Sequence, residues 1–319
     1  MVGLPCGEGQ RTAGRLFLRG EPRYRPPVAV TACPICDGGD IVDVGVVSGT
    51  VHPREYLLRR CDSCQFVFVA DPWLDYDHIY SEDYYNGRGA DTKLNYVGEV
   101  QHPTRTVRQY EWRGVLERVR TLTPIAQDTT WLDFGCGTGG LVQYLRSEGI
   151  DAMGFEQGWC AELLRNNGTP TIAEDDFDQY QGHFDIVSAV EVIEHTPDPV
   201  ALLRSIRRLL KPGGLFFLTT GNAQPYHDRI TKWRYVTPEV HISYFEPLTL
   251  ARALRTAGFE PEFPGYGSGW QDIIRYKLLM SLKRKWSNPA EALVPWGVLG
   301  RLVDSRLKLS AQPVGRASG

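Results

Sequence analysis

The sequence predicts an α/β protein in which a parallel sheet carries helices on both faces. Three observations predict this class. Strand-like and helix-like segments alternate between residues 126 and 265, and such alternation is typical of parallel sheets. A glycine-rich turn joins the first of these strands to the helix that follows it. Two C-x-x-C pairs add a small N-terminal β unit, and residues 271–319 add a helical appendage.

Composition limits the classes of protein that fit. With 319 residues, 42% of them hydrophobic, the chain can bury one full core and a smaller second unit. It has no run of 18 or more apolar residues, so we expect no membrane-spanning helix. Seven cysteines without a secretory signal favour a reducing compartment, which predicts a cytoplasmic protein. A net charge of −3 makes nucleic acid an unlikely partner and favours a small molecule.

The predicted fold is organised around the stretch from Trp131 to Gly140. It reads as a buried strand, a glycine-rich turn and the start of a helix. Gly135 and Gly137 lack a Cβ, so the backbone can turn tightly and approach a ligand there. The glycines also fit the dinucleotide pattern G-x-G-x-x-G, which alone is a weak signal. Asp133 lies two residues before the first glycine, where it suits a cationic amino-acid head better than a diphosphate.

The other elements of this domain follow in order. We predict helices over residues 104–122, 140–148 and 198–210, and strands over residues 131–134, 152–155, 184–191, 215–219 and 259–266. Residues 86–103 and 222–239 are predicted to be loops, the second forming a lid over the acceptor. Ligands of parallel sheets bind at the carboxyl ends of the strands. The acidic residues that follow strands, Glu156 and Glu191, are therefore candidate site residues.

The segment D-F-G-C-G-T-G at residues 133–139 resembles motif I of the class I S-adenosylmethionine-dependent methyltransferases. The segments E-V-I-E-H at 191–195 and K-P-G-G at 211–214 agree with this family, and the resemblance covers about residues 126–265. It implies a Rossmann-like sheet and S-adenosyl-L-methionine as cofactor. A nicotinamide enzyme would explain the glycine turn and Glu156, but not the two later segments.

The resemblance also implies how the methionyl and ribose parts of the cofactor are held. Asp133 and the backbone of Gly135 and Gly137 would hold the methionyl part. Glu156 would accept hydrogen bonds from the two ribose hydroxyls, because a carboxylate has the acceptor geometry that a vicinal diol needs.

The adenine end is assigned to the loop after residue 173. Asp175 would lie beside the adenine amine, with Phe177 near the ring. Asp176 is the alternative to Asp175, because the sequence does not fix the register of this loop. Glu191, at the end of the fourth strand, completes the implied cofactor residues.

Methyl transfer to a hydroxyl needs a base or a metal as well as alignment. Glu191, Glu194 and His195 share a face if their segment turns helically, and His241 could enter the same pocket. Three alternatives stay open. One is a histidine base, His241 ahead of His195. Another is a second divalent metal at Glu191, Glu194, His195 and His241, similar to the metal sites of ubiquinone-pathway and small-RNA terminal 2′-O-methyltransferases. The third is a structural role for both histidines.

The N-terminal β unit is predicted from Cys33, Cys36, Cys61 and Cys64. The two pairs are separated by 24 residues, the spacing of a zinc ribbon, and strands are expected over residues 41–47, 56–60 and 66–69. We expect structural Zn²⁺ there and no chemistry; unrelated pairs or redox thiols are the alternative. With the I-Y-x-x-x-Y-Y segment at 79–85, this unit resembles a bacterial methyltransferase subgroup of glycan, deoxysugar and secondary-metabolite pathways. These tyrosines either line the site or pack the ribbon against the main domain.

The predicted domain organisation divides the chain into five parts. These are a flexible arm (1–27), a zinc-ribbon-like unit (28–80), a linker with a lead-in helix (81–125), the cofactor domain (126–270) and a helical appendage (271–319). The appendage has nine cationic and three acidic residues, a net charge of +6. We favour an appendage that covers the substrate side or a dimer seam over a peripheral membrane helix. The oligomeric state is not predicted.

The function predicted from these features is methylation of a small hydroxylated metabolite, a sugar or a natural-product intermediate. Oxygen is the preferred acceptor atom, followed by carbon and then nitrogen. A nucleic-acid methyltransferase that grips RNA with its ribbon is the alternative, which the acidic net charge disfavours. A non-catalytic binding protein is the third choice, since the cofactor motifs are intact.

Overall fold

The structure is a computed structural model that describes residues 32–89, 95–307 and 314–317. The predicted arm, residues 1–27, lies outside the described residues. The strands are β1 (Ile41–Ser48), β2 (Glu55–Cys61), β3 (Val67–Val69), β4 (Thr130–Phe134), β5 (Asp151–Phe155), β6 (Thr171–Ile172), β7 (Phe184–Val190), β8 (Leu210–Thr219), β9 (Ser243–Tyr244), β10 (Phe259–Glu262) and β11 (Val314–Ala317).

Helices occupy both the main domain and the C-terminal part. The α-helices are α1 (Tyr76–Ile79), α2 (Glu82–Tyr85), α3 (Tyr96–Gln101), α4 (Arg108–Arg120), α5 (Gly140–Ser147), α6 (Gly158–Asn166), α7 (Pro199–Leu209), α8 (Pro247–Thr256), α9 (Trp270–Ser281) and α10 (Trp296–Leu307). Short 3₁₀ helices span Glu174–Asp176, Ile193–His195, Gln224–Lys232 and Pro289–Leu293. None of the described helices combines the length and the hydropathy needed to cross a membrane.

The large sheet has the strand order β10-β11-β8-β7-β4-β5-β6. The strands from β8 to β6 are parallel to one another, which confirms the predicted Rossmann-like class. The short strand β11 inserts antiparallel between β8 and β10, so the part of the chain predicted as a helical appendage also contains a strand. Successive strands run outward in opposite directions from β4 and β7. The carboxyl ends of these two strands therefore flank the crevice in which such sheets bind ligands.

Helix α7 illustrates why the helices cover this sheet. Asp198 accepts a hydrogen bond from the Ala201 amide at 2.9 Å, and Pro199 occupies the first turn. Its apolar stripe is fully buried, and each large aliphatic side chain contributes roughly 1.5–3 kcal/mol by leaving water. The buried stripe consists of Leu202, Leu203, Ile206 and Leu209.

The cysteine-containing unit shares a sheet with the main domain. Its order is β1-β2-β3-β9, and β9 comes from the chain after β8. Val67 pairs with Tyr244 in this antiparallel contact, and the Thr249 hydroxyl donates to the Cys64 carbonyl at 2.8 Å. The unit is therefore attached to the segment that contains His241. The predicted end of this unit at residue 80 stays a prediction.

Three local predictions are wrong. Residues 86–103 include helix α3, which the Asn95 side chain caps by accepting from the Gly98 amide at 2.8 Å. The predicted loop 222–239 contains the kinked 3₁₀ helix Gln224–Lys232. The K-P-G-G segment lies inside β8 rather than before it, where Gly213 adopts a φ of +76°. Helix α3 is ordered by its Asn95 cap, and residues 211–214 form the irregular part of β8 between Leu210 and Leu215; composition reveals neither feature.

Helix α9 packs closely against α4 and brings the C-terminal part over the sheet edge. A Cβ on Gly114 of α4 would lie 2.8 Å from the Gly269 carbonyl and from the Ile273 side chain, so only glycine permits this approach. Arg113 binds both carboxylate oxygens of Asp272 at 2.8 Å. This contact places the side chains of α9 near the ends of β7 and β8.

Candidate active site

The glycine loop after β4 has the conformation that its sequence predicts. Gly135 and Gly137 adopt φ angles of +73° and +54°, which residues with a Cβ rarely adopt. The Gly135 and Cys136 amides donate to the Phe155 carbonyl at 2.8 and 3.1 Å, which ties the loop to β5. A Cβ on Gly137 would meet no atom within 4 Å, so the loop borders open space. This cradle suits the close approach of a ligand.

Glu156 contacts the glycine loop directly. Its carboxylate accepts hydrogen bonds from the Gly137 amide at 2.8 Å and from the Gln157 amide at 2.9 Å. Burial raises the pKa of this carboxyl, although the two amides oppose the shift. Each carboxylate oxygen keeps a lone pair for a further donor. Glu156 can therefore accept hydrogen bonds from a diol without giving up the loop.

Asp133 is the second acid beside the loop. It is 4% exposed, and its carboxylate accepts from the Ser188 hydroxyl at 2.7 Å. Ser188 in turn accepts from the Trp131 indole at 2.9 Å. Burial raises the pKa of Asp133 to about 7, and the charge of Glu156 adds to the shift. Among the described residues no cation pairs with Asp133, so a cationic ligand head would supply the missing charge.

The loop after β6 contains both acids proposed to contact adenine and gives them different surroundings. Asp175 is exposed, whereas Asp176 accepts from the Ala173 amide at 3.4 Å and from the Gln179 amide group at 3.2 Å. Asp176 is thus turned toward its own 3₁₀ helix. The Phe177 ring lies 4.8 Å from the Phe155 ring, beside the end of β5. This geometry favours Asp175 over Asp176 for contact with a ligand.

Glu191 joins three parts of the chain at the end of β7. Its φ of +56° is a left-handed conformation that is strained by about 1–2 kcal/mol for a residue with a side chain. The carboxylate accepts from the hydroxyls of Thr219 at 3.0 Å and Tyr235 at 2.9 Å, and Lys277 Nζ lies 3.1 Å away. Burial opposes ionisation of Glu191, but Lys277 and Tyr235 outweigh it and lower the pKa to about 2.

Glu194 is fully buried and shares the Tyr235 hydroxyl with Glu191. Burial and the Glu191 charge raise the pKa of Glu194. A hydroxyl donates only one proton, so a protonated Glu194 that donates to Tyr235 while Tyr235 donates to Glu191 satisfies all three groups. The helical turn on which a shared face depended covers only Ile193–His195, as a 3₁₀ helix, and the Tyr235 hydroxyl brings the Glu191 and Glu194 carboxyls together instead.

The His195 and His241 rings lie edge to face, with their centroids 5.0 Å apart. His241 Nδ1 lies 2.7 Å from the Tyr235 carbonyl, and His195 Nδ1 lies 2.9 Å from the Val240 carbonyl and 2.8 Å from the Tyr80 hydroxyl. Because carbonyls only accept, each Nδ1 carries the proton and each Nε2 keeps its lone pair. Burial lowers the pKa of His195, which favours its neutral form.

One potential metal-binding group lies at this site. Ligand atoms of Glu194, His195 and His241 lie within 4.8 Å of one another. Glu191, which the sequence placed in the same group, is paired with Lys277 instead. Among the described residues, this group and the four cysteines are the clusters with metal-ligand geometry.

The four cysteine sulfurs also lie within 4.8 Å of one another. Cys33 Sγ is 3.4 Å from Cys64 Sγ, and Cys36 Sγ is 3.5 Å from Cys61 Sγ. A tetrahedron with Zn–S bonds of about 2.3 Å has edges of about 3.8 Å, close to these separations. All four thiols are free, so the donor set fits a closed four-thiolate metal centre.

The aromatic residues divide between the site and packing. Tyr80 reaches His195, whereas the Tyr84 ring stacks on Tyr96 at 5.8 Å and the Tyr85 ring on Trp159 at 5.7 Å. Tyr80 thus contacts a predicted catalytic side chain, and the Tyr84 and Tyr85 rings take part in aromatic packing. In the predicted lid, Trp233 stacks between Tyr226 at 5.4 Å and Tyr235 at 4.7 Å, and it packs against the small sheet.

Sequence reasoning missed three residues that position the candidate acids. Ser188 had a usable signal, because it is a polar residue inside the apolar strand β7. Tyr235 lies in the predicted lid, and its local sequence does not indicate a contact with either acid. Lys277 was counted among the cations of the appendage, and nothing in its local sequence indicates a contact with Glu191.

Known proteins are similar to the part of the chain that contains the large sheet. A sequence profile described as "Methyltransferase domain" matches residues 105–262. The chain is similar to a ubiquinone biosynthesis O-methyltransferase from Pseudomonas paraeruginosa, with 35% identity over 30% of this chain and 46% of that protein. A protein of the same name from Thiobacillus denitrificans is 30% identical over 46% of this chain and 71% of its own length.

The extent of these matches differs. The chain spans about half the length of the first Pseudomonas relatives it matches. A solved Haemonchus contortus phosphoethanolamine N-methyltransferase 2, in complex with S-adenosyl-L-methionine, aligns with 79% of this chain and 62% of its own at 14% identity and a TM-score of 0.44. The Thiobacillus match covers more than two thirds of that relative, and the domain profile spans the strands that form the site. The chain belongs to the class I S-adenosylmethionine-dependent methyltransferase family.

Proposed function

We propose that this protein transfers a methyl group from S-adenosyl-L-methionine to an oxygen of a small hydroxylated metabolite, a sugar or a natural-product intermediate. One observation carries the proposal. The buried Asp133 and the half-buried Glu156 flank an open glycine cradle at the point where the strand order of the sheet reverses. The similarity to O-methyltransferases favours oxygen as the acceptor atom.

The residues around the cradle match the parts of the cofactor. Asp133 would hold the cationic amino-acid head, and the backbone of Gly135 and Gly137 would line it. Glu156 would accept from the ribose hydroxyls, with Asp175 and Phe177 at the adenine. When bound, the cofactor supplies an electrophilic methyl group on a sulfonium. The protein residues align the acceptor with that group and keep water away.

His241 is the proposed base. Its ring stacks on Tyr235 at 4.1 Å, and the Tyr235 carbonyl fixes the Nδ1 proton. With the proton on Nδ1, the Nε2 lone pair can take the proton of the acceptor hydroxyl as the oxygen–methyl bond forms. His195 is the alternative base; its pKa is lowered by burial, so it stays neutral and able to accept a proton.

A divalent metal at Glu194, His195 and His241 is the second candidate for activating the acceptor. Metal-bound histidines commonly donate their other ring N–H to a carbonyl, as both histidines can here. Such an ion would require Glu194 in its ionised form. Mild chelation tests this: loss of activity, restored by Mn²⁺ or Fe²⁺ while metal analysis shows the zinc content unchanged, favours metal. Full activity after chelation favours the histidine base.

The four-cysteine cluster is proposed to hold structural Zn²⁺, since its thiols fit a tetrahedral site without an open position. Free thiols at all six described cysteines also suit a reducing compartment, and we propose the cytoplasm.

A methyl-transfer assay with isotopically labelled cofactor tests the proposed function. Phenolic, catecholic and sugar acceptors are compared with amines and RNA, and the labelled position is read by NMR. We expect O-methylated products, and His241→Ala should lower turnover by about 10²–10³-fold with unchanged cofactor affinity. His183→Ala, a change at an exposed histidine, is the control. Label found only in amines, carbon or RNA would contradict the assignment.

A further inference from the structure

Five consecutive residues directly after α9 expose apolar and cationic side chains. Leu282 is 71% exposed and Trp286 is 44% exposed. Between them Lys283, Arg284 and Lys285 are also exposed, and none of these cations forms an ion pair within the described part of the chain. We call residues 282–286 the basic tip. Exposed apolar side chains that are contiguous with cations form a candidate surface for a partner.

The backbone of the basic tip is held in a defined shape. The Leu282 amide donates to the Leu278 carbonyl at 3.1 Å, and the Arg284 amide donates to the Leu279 carbonyl at 2.9 Å. The Lys285 carbonyl then accepts from the Val107 amide at 3.1 Å. The tip is thus fastened to the chain just before α4, and its side chains project from an ordered turn.

Packing of the rest of α9 shows that the tip is not a displaced piece of core. Ile273, Ile274 and Leu279 are buried, and exposure begins where this packing ends. The concentration is local: five of the ten large apolar side chains that are exposed in the described residues lie between residues 282 and 302. Val298 and Leu302 of α10 are two of them, and the exposed Arg301 lies on the same helix face.

We propose that the basic tip binds the surface of an anionic lipid bilayer. Leu282 and Trp286 would enter the interfacial layer, where tryptophan is favoured, and the three cations would contact anionic headgroups. Arg105, whose guanidinium lies 5.9 Å from the Trp286 ring, adds a fourth cation. Cations at a helix C-terminus also complement the helix dipole, but the dipole gives no reason for an exposed leucine and tryptophan beside them.

The position of the tip relates it to the candidate active site. Lys277, which pairs with Glu191, lies on α9, five residues before Leu282, the residue that directly follows the helix. At 1.5 Å per residue this is about 8 Å along the helix axis. A bilayer bound at the tip would therefore lie near the site, so an amphiphilic acceptor could enter from the headgroup layer. This consequence rests on the proposed function, whereas the binding of the bilayer does not.

Vesicle co-sedimentation tests the proposal with the full chain. Vesicles of phosphatidylcholine alone are compared with vesicles that also contain phosphatidylglycerol. We expect binding to the anionic vesicles only, weakening as salt is raised. The charge reversal K283E/R284E/K285E should lower the partition coefficient about tenfold or more, and L282S/W286S should lower it about tenfold. The matched controls are L248S and R255E on α8, where Leu248 is 84% exposed, and they should bind like wild type.

Several results would overturn the proposal. These are no binding to either vesicle, equal binding to both, or binding that the charge reversal leaves intact. Concentration-dependent self-association without vesicles, abolished by L282S/W286S in sedimentation velocity, would show that the tip binds a second copy instead. Cofactor calorimetry on the same samples keeps the two proposals apart. Vesicle binding without cofactor binding would contradict the proposed function and leave the bilayer surface standing.

Discussion

At the scale of single residues, the charge of the candidate cofactor site near neutral pH depends on Asp133. Its pKa of about 7 means that near neutral pH a substantial fraction of the molecules carries a protonated Asp133. A cationic ligand head favours the ionised form, so binding lowers the pKa and releases a proton. Asp133 holds its proton more tightly in the folded protein than in the unfolded chain. Its contribution to the free energy of unfolding therefore falls as pH rises from the pKa of an unfolded aspartate to about 7.

We therefore predict that S-adenosylhomocysteine binds more tightly as pH rises toward 7 and that the affinity levels off above it. Below pH 7 the gain approaches about tenfold per pH unit, the limit for one released proton. Calorimetry between pH 5.5 and pH 8 measures this. Asp133→Asn should remove the dependence and serves as the control for titration of the ligand itself. A flat profile for the wild type would contradict the assignment of Asp133.

Lys277 stabilises Glu191, and its removal should be measurable without an acceptor. Without the cation, burial raises the Glu191 pKa from about 2, so Lys277→Met should lower the free energy of unfolding at pH 7. The Lys277 side chain is 45% exposed, and solvent screening limits the loss to about 1 kcal/mol. Denaturant unfolding checks the value.

The pH dependence of that loss follows from the sign of the Glu191 shift. A lowered pKa in the folded state contributes stability above the pKa of an unfolded glutamate, and this contribution disappears as pH falls toward 2. The difference between Lys277→Met and wild type should therefore narrow below about pH 4.5, while Lys277→Arg should retain most of the stability. An unchanged difference at acid pH would show that lost packing, not charge, is responsible.

At the scale of elements, Glu239 joins the predicted lid to the β1–β2 hairpin. It is 1% exposed, and one carboxylate oxygen accepts from the amides of Thr50 and Val51, the latter at 2.8 Å. Glu239→Ala leaves both amides without this acceptor and should destabilise the protein by about 1–3 kcal/mol in urea unfolding. Glu239→Gln keeps an acceptor oxygen and should cost about half as much or less. Equal losses in both variants would mean that the charge matters rather than the acceptor.

The four-cysteine cluster and the candidate cofactor cradle lie on different sheets, so we expect changes at one to have little effect on the other. We expect about one zinc per chain, and the double change Cys61→Ser/Cys64→Ser should abolish it and expose residues 41–69 to protease. Cofactor affinity should change less than about threefold, because β4 and β5 belong to the large sheet. Zinc analysis, limited proteolysis and calorimetry test these points. A parallel loss of cofactor binding would contradict the separation.

Elements with a clear hydrophobic pattern were predicted correctly from the sequence, whereas polar elements were not. Strands β1, β2 and β3 and helix α7 were confirmed within a few residues, because their hydrophobic periodicity and caps are local signals. Helix α3 and the 3₁₀ helix Gln224–Lys232 were missed. Their sequences are polar, and tertiary contacts and caps order them rather than an apolar stripe.

At the scale of the whole molecule, contacts distant in sequence were the part that could not be predicted. The motif around Gly135 located the candidate cofactor cradle, since one short segment contains its strand, turn and helix start. The pairing of β3 with β9 and the insertion of β11 depend on segments far apart in the chain. The contact of Lys277 with Glu191 is of the same kind and places the C-terminal helix at the candidate site.

The account as a whole depends on the cradle formed by Asp133, the glycine loop and Glu156. Isothermal titration calorimetry with S-adenosyl-L-methionine and S-adenosylhomocysteine tests it most directly, using wild type, Glu156→Ala and the exposed-residue control Glu260→Ala. We predict one bound molecule per chain for each ligand in the wild type and the control. Glu156→Ala should weaken both by about tenfold or more, as expected for lost hydrogen bonds to a charged group. Undetectable binding of both ligands to the wild type, or unchanged affinity in Glu156→Ala, would contradict the account.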